Sequence, residues 1–251
     1  MPLLSSVRRW IKARDNPASD RLYRLAMAAR SVSVPVVPGL HSGLYALHRA
    51  VSNAWAGTTR VLWYTPLFQS PSRPARPAPR LSVSGGMPLV LGPVRLSFAD
   101  RVRISAHTTI SGRTASRETP QLTVGSNVDI GWQTTIAVGS RVAIGDNVRI
   151  AGRAFLAGYP GHPLDAQARA AGAPDGDDQI GDIVLEDDVW LATGVTVSAG
   201  VRIGRGTVVA AGSVVTRDLP PNVLAAGVPA RVVRRLAGAD ETPSQLREVA
   251  A

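Results

Sequence analysis

Four side chains in this chain of 251 residues can exchange a proton near neutral pH with an unshifted pKa, and they are its histidines. An imidazole suits the removal of a proton from a hydroxyl because its ordinary pKa lies close to operating pH. His41 and His48 fall in a helical pattern near the N-terminus and His107 in a region of short strands, none with an accompanying motif. A lone histidine of that kind reads first as structural. His162 stands apart, in the run GHPLD, within a stretch from Ala157 to Gly181 that is rich in Gly, Pro and Asp. A long connection with no pattern of its own is either disordered or functional. This one also holds Asp165, Asp175, Asp177 and Asp178, any of which, or a backbone carbonyl, could orient the ring; the default for loop carboxylates is plain solvation. With no cysteine in the chain, a thiol nucleophile, a thiolate zinc site and a disulfide framework are all excluded.

What must position such a loop is a repeat. Leu185, Leu191, Val197, Ile203, Val209 and Val215 recur every six residues, each of the first five followed four residues later by Val189, Val195, Val201, Thr207 or Ser213. Gly194, Gly200, Gly206 and Gly212 punctuate the corners. No helix has that period. Short strands bending at fixed intervals do, so the chain winds into a parallel β-helix in which each coil covers the apolar face of the one before. Phe98, Ile104 and Ile110 already follow the spacing. A polar break at 112–121 interrupts it, Val124, Ile130 and Ile136 restore it, and after a slip of two it continues at Val138, Ile144, Ile150 and Leu156. The repeat then stops across 157–181. Pro220, Pro221 and Pro229 end the coil and lead to a basic segment.

The run from Gly181 to Leu236, GDIVLEDDVWLATGVTVSAGVRIGRGTVVAAGSVVTRDLPPNVLAAGVPARVVRRL, resembles the hexapeptide-repeat acyltransferases. Within them it is similar to the sugar O-acetyltransferases of the maltose and galactoside type, and the resemblance extends over roughly 90–236. It implies a left-handed β-helix of triangular cross-section, a homotrimer, and active sites in clefts between subunits. HPLD is the tetrapeptide of the maltose enzymes, which makes His162 the expected general base, deprotonating an acceptor hydroxyl that attacks the acetyl thioester directly, with no covalent enzyme intermediate. The oxyanion would be met by preorganised N–H donors, for which the resemblance points to the main-chain amide of Thr193. It also assigns coenzyme A contacts to Thr193, Ala211, Thr216, Arg217, Arg231 and Arg234. The arginines suit the phosphates of the adenosine end. The acceptor site departs from the family, since Gly131 and Gly139 stand where the galactoside enzymes hold the sugar with Asn and Asp. Asp129, Trp132 and Gln133 are the neighbouring candidates for a different acceptor surface, with Trp132 stacking on a sugar; each could equally be structural.

The formal charge of +10 lies entirely in residues 1–80, which carry 12 Lys plus Arg against Asp15 and Asp20. Such a block could meet nucleic acid, an anionic membrane or an acidic glycan, while the neutral coil gives no sign of nucleic acid. Residues 1–30 read as helical, Pro35 and Pro38 break the pattern, and a second helix runs from Leu40 to about Tyr64 with Gly57 as a point of interruption. Helices bearing Arg and Trp can lie in a membrane interface, and an apolar stripe can equally pack on the coil or on a neighbouring subunit. The expected organisation is a basic helical appendage at 1–70, a Pro/Arg linker at 71–80, the β-helix domain at 81–236 with its excursion at 157–181, and a tail at 237–251. Without a secretory signal pattern or a run of about 18 apolar residues, the expected location is cytoplasmic, with room for contact at the inner face of the plasma membrane.

These readings converge on an acetyl-CoA-dependent O-acetyltransferase of a saccharide, a polysaccharide or lipid-linked glycan precursor, with no metal. A serine or other small-molecule acetyltransferase and a non-catalytic scaffold are the rivals on this fold. A zinc hydratase on the same coil needs three histidines in the body, where only His107 and His162 are available.

Overall fold

The computed structural model describes residues 2–70 and 78–236. Residues 71–77 of the expected linker and the whole expected tail lie outside the described residues. The chain divides into two compact units, Met1–Ser52 and Asn53–Ala251. That boundary falls inside the stretch expected to form one helical appendage, and the reason is visible in the second unit.

The second unit is a left-handed parallel β-helix. Every turn adds one short strand to each of three faces, as in Arg141–Ile144, Arg149–Ile150 and Phe155–Ala157. Register stacks like residues into internal ladders. Face one carries Phe98, Val124, Ile144, Leu185 and Ile203. Face two carries Val83, Ile104, Ile130, Ile150, Leu191, Val209 and Ala225. Face three carries Val90, Ile110, Ile136, Leu156, Val197 and Val215. All six anchors of the 185–215 repeat are buried, and so are Val189, Val195, Val201, Thr207 and Ser213 between them. Each such aliphatic contributes about 1.5–3 kcal/mol of burial, which outweighs the weak pairing of two- and three-residue strands.

The ladders also locate the irregularities. From Phe98 onward, passing from face one to two, and from two to three, the chain takes six residues each time. Beyond that point every longer step falls at the third corner, between face three and face one: the break after Ile110, the slip after Ile136 and the excursion after Leu156. The two-residue slip therefore places Ile144, rather than Val138, at the head of its ladder, with Val138 buried at the corner opposite Gly112. At the other corners residues with positive φ make the bend: Asn127, Asn147 and Asp188 at one, His107, Gln133, Arg153, Gly194 and Gly212 at the other.

The coil's first turn is closed by the end of the helical segment. The helix Pro38–Thr59 runs on through Gly57 into a π turn at Arg60–Tyr64 and a short helix, Thr65–Phe68. Gly57 is therefore no interruption. Phe68 is buried with its ring centroid 5.7 Å from that of Phe98, and the Thr65 hydroxyl accepts from the Val83 N–H at 3.0 Å. A repeat coil needs its apolar end covered, so residues 64–68 belong to the β body. Trp55, Leu62 and Trp63 stay exposed.

In the first unit the expected single helix over 1–30 is two: Pro2–Ala13 and Pro17–Ser31. The break comes at Asn16, whose side chain accepts from the N–H groups of Ala18 and Ser19 in a capping box ahead of Pro17. Asp20 in the first turn pairs with Arg14 and Arg24, which hold its carboxyl below the ordinary range.

Candidate active site

The excursion is built on a closed neck. The Gly158 N–H donates to Ala137 O at 2.9 Å and the Gly181 N–H to Gly158 O at 3.1 Å, so the loop leaves and rejoins the coil at one point. Inside it a short helix, Ala166–Ala170, starts at Asp165, whose carboxylate caps the Ala168 N–H at 2.7 Å. Arg169 reaches back to the carbonyls of Pro163 and Leu164 at 2.9 and 3.0 Å. The segment just after His162 is thereby tied to its own helix, and the imidazole is left exposed, as a base that must meet a substrate requires.

Two further tethers run to the coil's earlier turns. The Tyr159 hydroxyl donates to Ser111 Oγ at 3.0 Å. Arg113, in the polar break, is 3% exposed and holds the far leg of the loop: Nε donates to Asp175 Oδ1 at 2.9 Å, one terminal nitrogen to Asp177 Oδ1 at 2.7 Å, and the other to the Asp175 carbonyl. Burial pulls this guanidinium down, but its hydrogen bonds to the two aspartates outweigh that and hold it above the ordinary arginine value. Asp175 Oδ2 is buried with no hydrogen-bond partner among the described residues. A hollow of ≈ 460 Å³ opens beside the clamp, lined by Arg113, Arg117, Glu118, Ser140, Asp177 and Asp182 among others. Of the residues singled out in the sequence Asp177 lines it, while His162 and the expected coenzyme A and acceptor residues do not.

Of the expected partners for His162, Asp165 is engaged as a helix cap and Asp175 and Asp177 by Arg113. Asp178 has no hydrogen bond or ion pair among the described residues. The clamp and the Tyr159 and Arg169 tethers went unread in the sequence. Their signal was available in the count of coil steps, which puts both interruptions on one corner of the triangle and sets Arg113 facing two aspartates.

The expected cofactor residues fall into two groups. Thr193 and Ala211 stack at the corner between faces two and three, where the Gly212 N–H donates to Thr193 O at 2.9 Å. The Thr193 N–H donates to no backbone carbonyl among the described residues, as an oxyanion donor must be free to do. Thr216 and Arg217 follow the last strand of face three, and Arg217 shares a shallow hollow with Arg231, built from the hairpin Val223–Gly227 and Ala230–Arg235. Arg234, opposite Leu224 in that hairpin, does not line it. Thr193 and Ala211 precede strands of face three and Thr216 and Arg217 follow its last strand, whereas Arg231 and Arg234 lie on the strand that extends the sheet of face two.

The expected acceptor residues are only partly brought together. Trp132 and Gln133 form one bend of the corner that carries Thr193 further along. The indole lies against Gly152, where an added Cβ would come within 2.6 Å of the ring, and its outer side is half exposed. Asp129, on the outside of face two, is flanked in register by Arg103 and Arg149 and ion-paired to both. Gly131 and Gly139 have no room for a side chain: a Cβ at Gly139 would stand 2.4 Å from Gly158 O, and one at Gly131 2.6 Å from the Gly152 nitrogen.

Residues 182–217 match the model of the bacterial transferase hexapeptide, six repeats. A galactoside O-acetyltransferase of Escherichia coli is 39% identical over 123 residues, 47% of this chain and 58% of that protein. A protein of Saccharomyces cerevisiae provisionally named an acetyltransferase is 38% identical over 125 residues, 50% of this chain and 61% of that protein. The chain thus spans about three fifths of the length of these curated relatives. Among solved structures, the N-acyltransferase AntD of Bacillus cereus, in complex with dTDP-4-amino-4,6-dideoxyglucose and coenzyme A, has a TM-score of 0.50 at 20% identity, covering 69% of this chain and 87% of its own. That likeness is one of fold.

Proposed function

We propose that this hexapeptide-repeat protein of the bacterial transferase family is an acetyltransferase that moves the acetyl group of acetyl-CoA to a saccharide hydroxyl, with His162 as general base. The observation that carries the reading is the placement of His162: an exposed imidazole on a loop that is closed at its neck and tethered to a rigid coil. His162 takes the proton of the acceptor hydroxyl while its oxygen attacks the thioester carbonyl. The Thr193 N–H meets the oxyanion as it forms, and collapse expels the coenzyme A thiolate. Coenzyme A would be gripped by Thr193, Ala211 and Thr216 along its arm, and by Arg217, Arg231 and Arg234 at its phosphates. Trp132 with Gln133 offers a stacking surface to the sugar. Asp129, already neutralised by two arginines, would contribute by orienting them.

One copy carries His162 at one corner and Thr193 with Ala211 at another. A site that unites them is completed by a second copy, which supports a homotrimer with active sites between subunits. Sedimentation equilibrium should return three times the chain mass; a fully active monomer would overturn this part.

The acceptor reading extends to a polysaccharide or lipid-linked precursor. Val7, Trp10, Leu25 and Met27 are exposed among the arginines of the first unit, which suits an anionic membrane surface at the inner face of the plasma membrane. No described helix is long and apolar enough to cross a membrane. Co-sedimentation with phosphatidylglycerol vesicles, weakening with salt, is expected; indifference to those vesicles would remove the docking role.

The reaction itself is tested by release of free coenzyme A from acetyl-CoA across a panel of sugars and glycan extracts. Turnover should depend on an added saccharide and fall about 10²- to 10⁴-fold in His162→Ala. Full rate in that variant would refute the base, and turnover with serine but no saccharide would favour a small-molecule acceptor.

A further inference from the structure

We infer that Arg113 is a positioning residue for the transfer reaction, fixing the far leg of the excursion so that His162 is held at the acceptor. The inference rests on the reading of His162 as base.

Between Gly158 and Gly181 the chain has a closed neck, and a neck fixes only the two ends of a loop. Ordering the residues between opposes about 1–2 kcal/mol of backbone entropy for each one. The near leg, leading to His162, is held by Tyr159 on Ser111 and by Arg169 on the Pro163 and Leu164 carbonyls. The helix Ala166–Ala170 carries the chain away and Asp175 to Asp177 bring it back. There Arg113 makes three charge-assisted hydrogen bonds to two residues, two through side chains and one to a carbonyl. A planar fork that grips a carboxylate and a backbone oxygen at once fixes orientation as well as distance.

Arg113 is placed for this by the coil. Gly112 before it is buried, and a Cβ there would stand 2.1 Å from Pro93 O, so the chain turns tightly against the preceding coil. The Arg113 N–H donates to Val138 O at 3.0 Å, which registers the residue on the next turn. The guanidinium thus projects from regular, packed structure into an irregular loop. The clamp is also specific in its cost: Asp175 is 5% exposed with one oxygen unpartnered, so a carboxylate has been buried where only an arginine makes it tolerable. A loop needing only to be attached could have been anchored at the surface.

The test is a kinetic cycle on the full-length protein with acetyl-CoA and whichever saccharide of the panel supports turnover. Arg113→Gln should lower kcat about 10²-fold, as expected when a base loses its alignment, with KM for acetyl-CoA unchanged within about twofold. In a His162→Ala background the same substitution should have no further effect, because it acts through the imidazole. A fold that was merely weakened would lower the residual rate as well. Hydrogen exchange should quicken across 158–181 and not in the coil. If Arg113→Gln does not fold, Asp177→Asn, which releases only the exposed arm of the clamp, should show the same pattern at about a tenfold loss of kcat. Loss of rate in His162→Ala with full kcat in whichever Arg113 or Asp177 variant folds would overturn the positioning role and leave the base intact. Full rate in His162→Ala would overturn the reading beneath both.

Discussion

From Phe98 onward, two corners of the coil are crossed in uniform six-residue steps, and the third gathers the interruptions. At the uniform corners a residue with positive φ makes the bend, its N–H or carbonyl bonding to the corner above or below, as with Gln133 on Ala106, Arg153 on Trp132 and Gly194 on Gly152. At the third corner the break, the slip and the excursion pile up on one edge, joined by Arg113, Tyr159 and the Gly158–Gly181 neck. A coil held by stacked ladders tolerates insertion wherever the added chain leaves those ladders in register. Stability is therefore spread along the faces, whereas the candidate base sits where the repeat fails.

The contrast makes a sharp prediction for two leucines eight residues apart in sequence. Leu156 is wholly buried in the face-three ladder between Ile136 and Val197, and Leu164, next but one to His162, is 82% exposed. Leu156→Ala should cost about 2–5 kcal/mol of unfolding free energy, seen as an earlier denaturant midpoint. Leu164→Ala should leave the midpoint within about 0.5 kcal/mol of wild type. Equal losses from both would mean that the loop belongs to the core, and the division between the corners would fail.

The same division explains what could be read without coordinates. The ladder positions were legible because a parallel coil repeats one environment, so period six from Leu185 to Val215 is a direct image of burial. The candidate base His162 stands out through its motif, and the corners at 194, 200, 206 and 212 were legible through their glycines, which all have positive φ. What was not legible depends on pairs that a local pattern does not link. Arg113 and Asp175 are 62 positions apart, and either alone reads as a surface charge. The helical segment failed differently: Phe68 looks like one more residue of an apolar stripe, and only the open end of the first coil decides that it is buried while Trp55 and Trp63 are not. Asp129 reads in the sequence as a candidate for the acceptor surface or as structural, and its two ion pairs are not legible there because the flanking arginines lie on other turns, at 103 and 149, where register alone brings them alongside.

Gly139 tests the seam between the two behaviours. It belongs to the corner, but its neighbour at 2.4 Å from a would-be Cβ is Gly158 O, the carbonyl on which the excursion's neck closes. Gly139→Ala should therefore cost about 1–3 kcal/mol of stability through forced displacement, and it should also lower kcat, because the displaced atom is the root of the loop. A glycine on a uniform corner should not couple the two. Gly206→Ala, where a φ of 67° opposes a side chain and a Cβ would meet only the Asn222 side chain, is expected to cost about 1 kcal/mol and leave kcat alone. Thermal melts beside initial rates on both variants measure the difference.

The smallest effect concerns acid. Glu186 sits at the corner between faces one and two, where its carboxylate accepts the Arg205 N–H at 2.9 Å and pairs with Arg202. The backbone hydrogen bond from Arg205, then the Arg202 pair, hold its pKa below the ordinary 4.5 despite partial burial. A carboxyl depressed in the folded state stabilises the fold above its unfolded pKa, and that contribution is lost as pH falls through the folded value. Being partly solvated, it amounts to less than about 1 kcal/mol. Glu186→Gln should flatten the decline of melting temperature below about pH 4.5 while leaving the pH dependence of turnover untouched. His162→Ala should do the reverse, lowering turnover while the melting profile is kept. Crossed profiles of that kind would tie stability to the uniform corners and proton transfer to the interrupted one; a shift of both profiles by either variant would merge them.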